Sequence, residues 1–479
     1  VAASKARSQL PAPLYVAAAY VFFLGVPTLL CVVIGLSRPG VLTFLHYAVA
    51  TAYAVTSLMM LLEARTAIPR RKAGRTHTET LPTMPLTTVI VSAYLPNEQD
   101  LIAETILRLT TQMHVPSYKL QIILAYNSPD DLPVEAELAS FGQLNASFMP
   151  LRVVGSRSKA QNILAALPYA RGEMTVLLDA DHHPHPDAFE RAYRWLEAGY
   201  DVVQGRCVVR NQKENLLTRL VSIEFEQIYG ISHTGRSLAM DTAIFGGTNG
   251  YWRTSVLQEI GMDERMLTED IDSSVRAMLA GHRIIHDRSV ISTELATTTL
   301  RSWWTQRLRW AQGWFQVTLR HQAAIWRSEH LNRRTKLYWT YMLTWRELFP
   351  LLSLQIFALL IAALVLRIPV DWVRNWYLAG TTVITLSSGP LVAIATYRIA
   401  LWRTKKSLRP WFFIFAVTSL FYTTLKNMVA MVAMLREFRG ESPWVVTTRQ
   451  SAESKAKVKA NEKAAARATR RPERVQLDA

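Results

Sequence analysis

Apolar residues along this chain fall into long runs and short runs, and the two lengths belong to different environments. Residues 14–36, LYVAAAYVFFLGVPTLLCVVIGL, carry no charge, and they match the roughly 20 residues a helix needs to cross a bilayer core. Residues 41–62 form a second run, interrupted only by His46. Lys5 and Arg7 precede the first run as they would in a signal peptide, but the run is too long for one and a second span follows at once. The pattern predicts a helical hairpin over residues 1–65 that stays in the mature protein. Further long apolar segments at about 348–366, 376–397 and 411–435 predict membrane helices within residues 336–440.

The middle of the chain has a shorter rhythm. After a Pro-, Thr- and Arg-rich linker at 66–85, the apolar stretches LTTVIVSAY, LQIILAY and EMTVLLDA alternate with helical patterns at 99–112, 158–170 and 187–198. Strands separated by helices of about 10 to 15 residues predict an α/β domain over 86–300, with a mostly parallel sheet covered by helices. Ligands of such sheets bind beyond the carboxyl ends of the strands. Residues 301–335 mix Trp and Arg at helical spacing, as expected of helices lying in the membrane interface.

Charge orients this arrangement. Only Arg38 lies between the first two runs, whereas Arg65, Arg70, Arg71, Lys72 and Arg75 follow the second, so that end is expected to face the cytosol with the polar domain behind it. The expectation is a multi-pass protein of the plasma (inner) membrane. The basic segment RTKKSLRP at 403–410 is expected as a cytosolic loop. Five crossings from a cytosolic start would place the C-terminus outside, yet the tail at 441–479 carries eight Lys and Arg beyond residue 450, which argues for inside. Lys426 within the last segment allows a re-entrant course, so both readings stay open. The net charge of +17 fits cytosolic loops beside anionic lipid. No aromatic residues interleave the basic tail and no nucleic-acid module is visible, so nucleic acid is not expected as a partner. Cys31 lies in a span and Cys207 in the polar domain, leaving no plausible disulfide.

Candidate chemistry gathers where the strand LLDADHHPHPDAF ends. Asp179, Asp181, His182, His183 and His185 fall within seven residues. A transition-metal site, a metal-assisted nucleotide site and a solvated turn all fit this stretch alone. Adjacent histidines diverge, which counts against zinc, while two aspartates leaving a strand suit a hard divalent cation that keeps water and phosphate ligands. In MLTEDIDSSVRAMLAGHRI, Glu269 and Asp270 open an amphipathic helix ending near Gly281. They read either as acids favoured by the helix dipole or as a general base. WWTQRLRWAQGW packs Arg307, Arg309 and several tryptophans into one helix, which suits an interfacial anchor as well as a site.

Together these segments resemble the processive membrane-bound family 2 glycosyltransferases, the group containing cellulose, chitin and hyaluronan synthases. The resemblance rests on DAD at 179–181, FGGTNGYWR at 245–253, TED at 268–270 and QRLRW at 306–310, in that order, and covers roughly residues 86–315. It implies a GT-A-like fold and inverting, Mg- or Mn-dependent transfer from a nucleotide-sugar, most readily a UDP-sugar, to a growing polysaccharide at the membrane, with a saccharide or lipid-linked acceptor and the lipid bilayer as partners. Asp179 would contact the nucleotide and Asp181 the metal. Arg307 and Arg309 would hold the leaving phosphates. Asp270, with Glu269 beside it, would take the proton from the acceptor hydroxyl. Gly247, Thr248, Asn249, Gln306 and Trp310 would seat the acceptor. Glu98 in SAYLPNE and Lys159 in SRSKAQN match the family's donor contacts, and the histidines stand beside the metal without being assigned as ligands.

The chain departs from the pattern twice. LAYNSPDD places Asn127 where the family has an acid against the nucleotide base, and the FxVTxK gating loop of cellulose synthases has no counterpart. The alternatives are single-sugar transfer to a lipid carrier or glycolipid and, from a different class, a non-catalytic transporter or scaffold.

Overall fold

The computed structural model describes residues 17–68 except 19, 83–143, 147–368 and 375–441. The residues ahead of the first span, most of the expected linker and the basic tail beyond 441 lie outside the described residues.

Eight strands form one sheet: β1 (Thr87–Tyr94), β2 (Leu120–Asn127), β3 (Ser147–Arg152), β4 (Met174–Asp179), β5 (His183–Pro184), β6 (Val202–Val209), β7 (Gly250–Arg253) and β8 (Ile284–Glu294). Their order is β3-β2-β1-β4-β7-β6-β8-β5. The pairs β1–β2, β1–β4, β2–β3 and β6–β8 are parallel, while β7 runs antiparallel to both β4 and β6. The β1 sequence TTVIVSAY shows why the sheet is sandwiched. Val89, Val91 and Ala93 enter one apolar cluster and Ile90 the other, because successive side chains point to opposite faces. Register then sets the ligand edge: Tyr94 lies opposite Asn127 and Ser92 opposite Asp179, so β1, β2 and β4 end together.

Eleven helices matter here: α1 (Val26–Ser37), α2 (Pro39–Ala67), α3 (Leu95–Thr111), α4 (Lys159–Ala166), α5 (Ala188–Glu197), α6 (Leu216–Gln227), α7 (Glu269–Leu279), α8 (Leu300–Arg327), α9 (Arg333–Val365), α10 (Trp376–Ile399) and α11 (Trp402–Phe438). Among the described residues, α2, α9, α10 and α11 are long and apolar enough to cross a membrane, and Val21–Ser37 is a shorter apolar helix. Their contacts are polar as well as apolar: Tyr53 donates to the Ser353 carbonyl at 3.0 Å and Asn427 to the Ser353 hydroxyl at 2.8 Å.

Two local expectations change. Residues 403–410 are the opening turns of α11 rather than a loop; Lys and Arg are good helix formers, and Pro410 is carried inside the helix. The Trp/Arg region is one helix of 28 residues, α8, continuing to Arg327.

Candidate active site

Beyond the carboxyl ends of β1, β2 and β4 lies a cleft of about 160 Å³. Its walls come from the β1–α3 junction, the first turn of α4, the glycine-rich segment before β7, the loop into α7, and α8. Glu98, Asn127, Lys159, Asp179, Gly247, Thr248, Glu269, Asp270, Arg309 and Trp310 all line it. Residues separated by more than 200 positions therefore meet in one place.

Lys159 is its hub. The α4 N-cap, Ser158, accepts from the Gln161 backbone N–H, which presents the lysine at the first helical position. The ammonium pairs with the Asp179 carboxylate and donates to the Gly247 carbonyl at 2.7 Å. Burial works against its charge, but Asp179, Glu269 and Asp270 outweigh that and hold its pKa above the ordinary value. Thr248 reaches the same place, its hydroxyl accepting from the Asp179 backbone N–H at 3.1 Å. Glu98 accepts from the Tyr94 N–H at 2.9 Å, closing the first turn of α3.

Asp270 lines the same cleft at the start of α7. Its Oδ1 accepts from the Ile271 N–H at 2.9 Å, as expected of an acid at a helix start. Yet burial first, and the neighbouring Glu269 second, push its pKa up to about 7, against the opposing pull of Lys159 and Arg309. An acid there for helix capping alone would titrate low. Gly247 makes the approach feasible: its φ is +89°, and a Cβ at that position would lie 2.8 Å from Asp270 Oδ2. Gly313 does the same for α8, since its Cβ would lie 2.8 Å from the Thr268 backbone nitrogen. That close packing brings Trp310 and Arg309 beside the TED segment, with Arg309 donating to the Leu267 carbonyl at 3.2 Å.

The donor set for a cation is present. Asp179, Asp181 and His182 offer ligand atoms within 4.8 Å of one another. Asp181 is fully buried, one oxygen accepting from the Leu295 N–H at 2.9 Å. His182 is fully buried too; its Nδ1 lies 3.0 Å from the Ser292 hydroxyl, while Nε2 makes no hydrogen bond and lies 3.6 Å from the Glu294 carboxylate. The two carboxylates fit a hard divalent ion such as Mg or Mn, and an imidazole nitrogen added to them would favour Mn. The other histidines of the stretch are spoken for. His183 lies 3.2 Å from Thr105 Oγ1, its pKa lowered to about 4 by burial and Arg210, and His185 sits 2.6 Å from Asp187.

The cleft carries an excess of acidic groups. Five carboxylates line the cleft (Glu98, Asp179, Glu269, Asp270, Glu294) against two cations, Lys159 and Arg309. Such a field favours bound positive charge.

Several residues named from the sequence sit elsewhere. Asn249 is fully buried and turned into the sheet, donating to the Arg206 carbonyl at 3.2 Å and accepting from Tyr251 at 2.9 Å. Gln306 and Arg307 are buried and do not line the cleft; Arg307 instead pairs with Glu224 at 2.6 Å. Arg307 and Arg309 lie two positions apart and so point to nearly opposite sides of α8, whereas Gln306 shares a side with Trp310 one turn on and is kept from the cleft by its burial. Asn127 does line the cleft, but its amide already donates to the Ser156 carbonyl and accepts from Asn162, each at 3.1 Å. One N–H and one lone pair remain for a ligand. Conversely, Phe225, Tyr229 and Glu294 line the cleft without having been singled out. Glu294 ends β8, and the rule that drew attention to Asp179 at the end of β4 would have found it.

The comparisons agree with this geometry. The family described as "Glycosyl transferase family group 2" matches residues 174–435, more than half of the chain. The probable glycosyltransferase YdaM of Bacillus subtilis (strain 168) is 25% identical over 258 residues, covering 52% of this chain and 60% of that one. The poly-beta-1,6-N-acetyl-D-glucosamine synthase of Staphylococcus aureus (strain MSSA476) is 27% identical over 275 residues, covering 56% and 62%. The chain thus spans less than two thirds of the length of these two relatives. Among solved structures, the mannosyltransferase PcManGT from Pyrobaculum calidifontis, in complex with GDP-Man and Mn2+, shares the fold with a TM-score of 0.53 at 20% identity, covering 83% of this chain and all of that one. With its parallel-dominated sheet, GT-A-like architecture and acid-lined cleft at the strand ends, the chain belongs to glycosyl transferase family group 2.

Proposed function

We propose that this enzyme transfers a sugar, with inversion, from a UDP-sugar to a growing polysaccharide at the cytosolic face of the plasma membrane. The observation that carries the reading is Asp270, a buried carboxyl poised near neutrality in the same cleft as the Lys159–Asp179 pair. A base of that pKa is matched to taking a hydroxyl proton at physiological pH. A single base at the acceptor side suits one displacement at the anomeric carbon, unlike the two carboxylates that flank the bond in glycoside hydrolysis.

Asp179, Asp181 and His182 would hold Mg or Mn, which when bound neutralises the leaving diphosphate. Lys159 and Arg309 add fixed positive charge on either side of that diphosphate. Glu98 and Asn127 face the nucleoside end, and Glu269 stays beside the base to keep its pKa high. Trp310 offers an aromatic face to the apolar C–H side of the acceptor sugar, and Gly247 and Thr248 form the floor beneath the reacting hydroxyl. The synthase among the relatives supports a saccharide acceptor, and the Mn2+ and GDP-Man of the fold neighbour support a metal-assisted nucleotide-sugar site. Domain roles follow: residues 86–300 carry the donor site, α8 completes it, and α2, α9, α10 and α11 hold it at the bilayer.

The deciding experiment incubates purified protein in nanodiscs with a panel of UDP- and GDP-sugars plus Mg or Mn, and measures nucleotide release with oligosaccharide or lipid-extract acceptors. Release with a UDP-sugar and lengthening of the oligosaccharide is expected. A product found only on lipid would replace polymer extension by single-sugar transfer. No release with any donor would overturn the catalytic reading.

A further inference from the structure

Arg307 is the charged residue of QRLRW that the cleft leaves unused. Its side chain is 7% exposed, and one nitrogen donates to Glu224 on α6 at 2.6 Å. Glu224 also accepts from the Tyr422 hydroxyl at 2.7 Å and from Lys426 at 3.2 Å, both on α11. Burial opposes the charge on Glu224, but Arg307 and Lys426 outweigh it and keep its pKa low. The Arg307 guanidinium carbon lies 4.5 Å from the Trp310 ring centroid and 5.9 Å from that of Phe225. Both rings line the cleft. The charge within the last apolar segment, Lys426, therefore has a defined counter-ion in the catalytic domain.

A second grip lies five and nine residues further along α8. Glu437, near the end of α11, accepts from Gln312 at 2.9 Å and from Gln316 at 3.0 Å. Gln316 in turn accepts from the Leu267 N–H at 3.1 Å, immediately before the TED segment. The last membrane helix thus holds α8 on both sides of Trp310.

We infer that Arg307 is a positioning residue: clamped by Glu224, it fixes the indole of Trp310 at the acceptor end of the cleft, and Tyr422 and Lys426 make that clamp depend on the last membrane helix. The inference rests on Trp310 serving the acceptor, as proposed above. Guanidinium geometry is suited to the task, since one planar group can pair with a carboxylate edge-on while stacking its face on an aromatic ring. A lysine keeps the charge but not the stacking plane.

The test uses the full chain in nanodiscs. Arg307→Met is expected to raise the acceptor KM about 3- to 30-fold, the range that loss of a desolvated cation–π contact carries, with kcat little changed and affinity for nucleoside diphosphate plus Mn unchanged by calorimetry. Arg307→Lys should restore part of the loss. Lys426→Met should shift acceptor KM in the same direction by less, and should add nothing in the Arg307→Met background, because both act through one clamp. In a Trp310→Phe background, Arg307→Met should have no further effect on acceptor KM. The emission assigned to Trp310, obtained by subtracting the Trp310→Phe spectrum, should shift to the red in Arg307→Met, a readout that needs no turnover. A loss of diphosphate affinity in Arg307→Met overturns the inference and returns Arg307 to the donor. Additive effects of Arg307→Met and Trp310→Phe, or an unmoved Trp310 emission, overturn it as well. Failure of the wild type to transfer any sugar would instead refute the functional reading, and the emission and calorimetry would still judge Arg307.

Discussion

Replacing Asp270 by asparagine should stabilise the protein at alkaline pH while removing transfer. The folded-state pKa of Asp270 is raised from 3.8 to about 7, mainly by burial and then by Glu269. Folding therefore takes up a proton between those values: the group costs nothing below pH 3.8, and its penalty grows to the full amount above about 7. A carboxyl whose titration moves that far loses about 4 kcal/mol when ionised in the folded state, an upper bound on the stability Asp270→Asn can gain at about pH 8. At about pH 4 the gain should be close to zero. The catalytic consequence runs the other way. With a pKa near 7, about one molecule in ten carries the ionised base at pH 6, so kcat/KM should fall roughly tenfold per pH unit below neutrality. Asn keeps the shape but removes the proton acceptor, for a loss of about 10²- to 10⁴-fold. Glu269→Gln removes a charge that raises this pKa, so the inflection should move to lower pH. Thermal unfolding at pH 4 and pH 8, alongside a pH–rate profile of nucleotide release, makes the measurement. A flat profile between pH 6 and 8, or an inflection that survives in Asp270→Asn, would refute Asp270 as the base.

Other expectations follow from single contacts. Gly247→Ala combines a φ of +89° with a Cβ 2.8 Å from Asp270 Oδ2, so it should cost about 1–3 kcal/mol in chemical denaturation and most of the transfer activity. Asp181→Asn should weaken Mn-dependent binding of nucleoside diphosphate by calorimetry, whereas Asp270→Asn should leave it nearly unchanged; equal losses would assign Asp270 to the donor or the fold. Gly313→Ala would press α8, and Arg309 and Trp310 with it, away from the Thr268 backbone, so transfer, thermal stability and affinity for nucleoside diphosphate should all fall. A chain ending at residue 300 lacks Arg309 and Trp310 and exposes the apolar surface that α8 covers, so it should be poorly soluble and inactive; a soluble, active fragment would contradict the placement of these residues.

What could be read in the sequence was whatever depends on local periodicity. Alternation in TTVIVSAY and the apolar run ending in Asp179 predict strands whose carboxyl ends carry ligand groups, and β1 and β4 end side by side as that rule requires. Four of the five long apolar runs yield helices of membrane-spanning length among the described residues, and the first yields the shorter Val21–Ser37, since a helix must be satisfied within its own residues. The order of DAD, FGGTNG, TED and QRLRW pointed to a cleft that gathers Asp179, Gly247, Asp270 and Trp310. Facing across the chain was not legible. Arg307 and Arg309 look alike in sequence, but two positions on a helix turn them about 200° apart, so one meets the cleft and the other meets Glu224. Asn249 stands one residue beyond Thr248 and points into the sheet, because β7 begins there. Lys426 reads as an awkward charge in a span until α6 brings Glu224 to it from 202 positions away. The pKa of Asp270 is likewise a property of its surroundings, since the same Thr-Glu-Asp at an exposed helix start would titrate low. Local hydrogen bonding and hydrophobic period belong to the sequence, whereas the side a charge faces, its degree of burial and the partner it meets exist only once distant segments have packed.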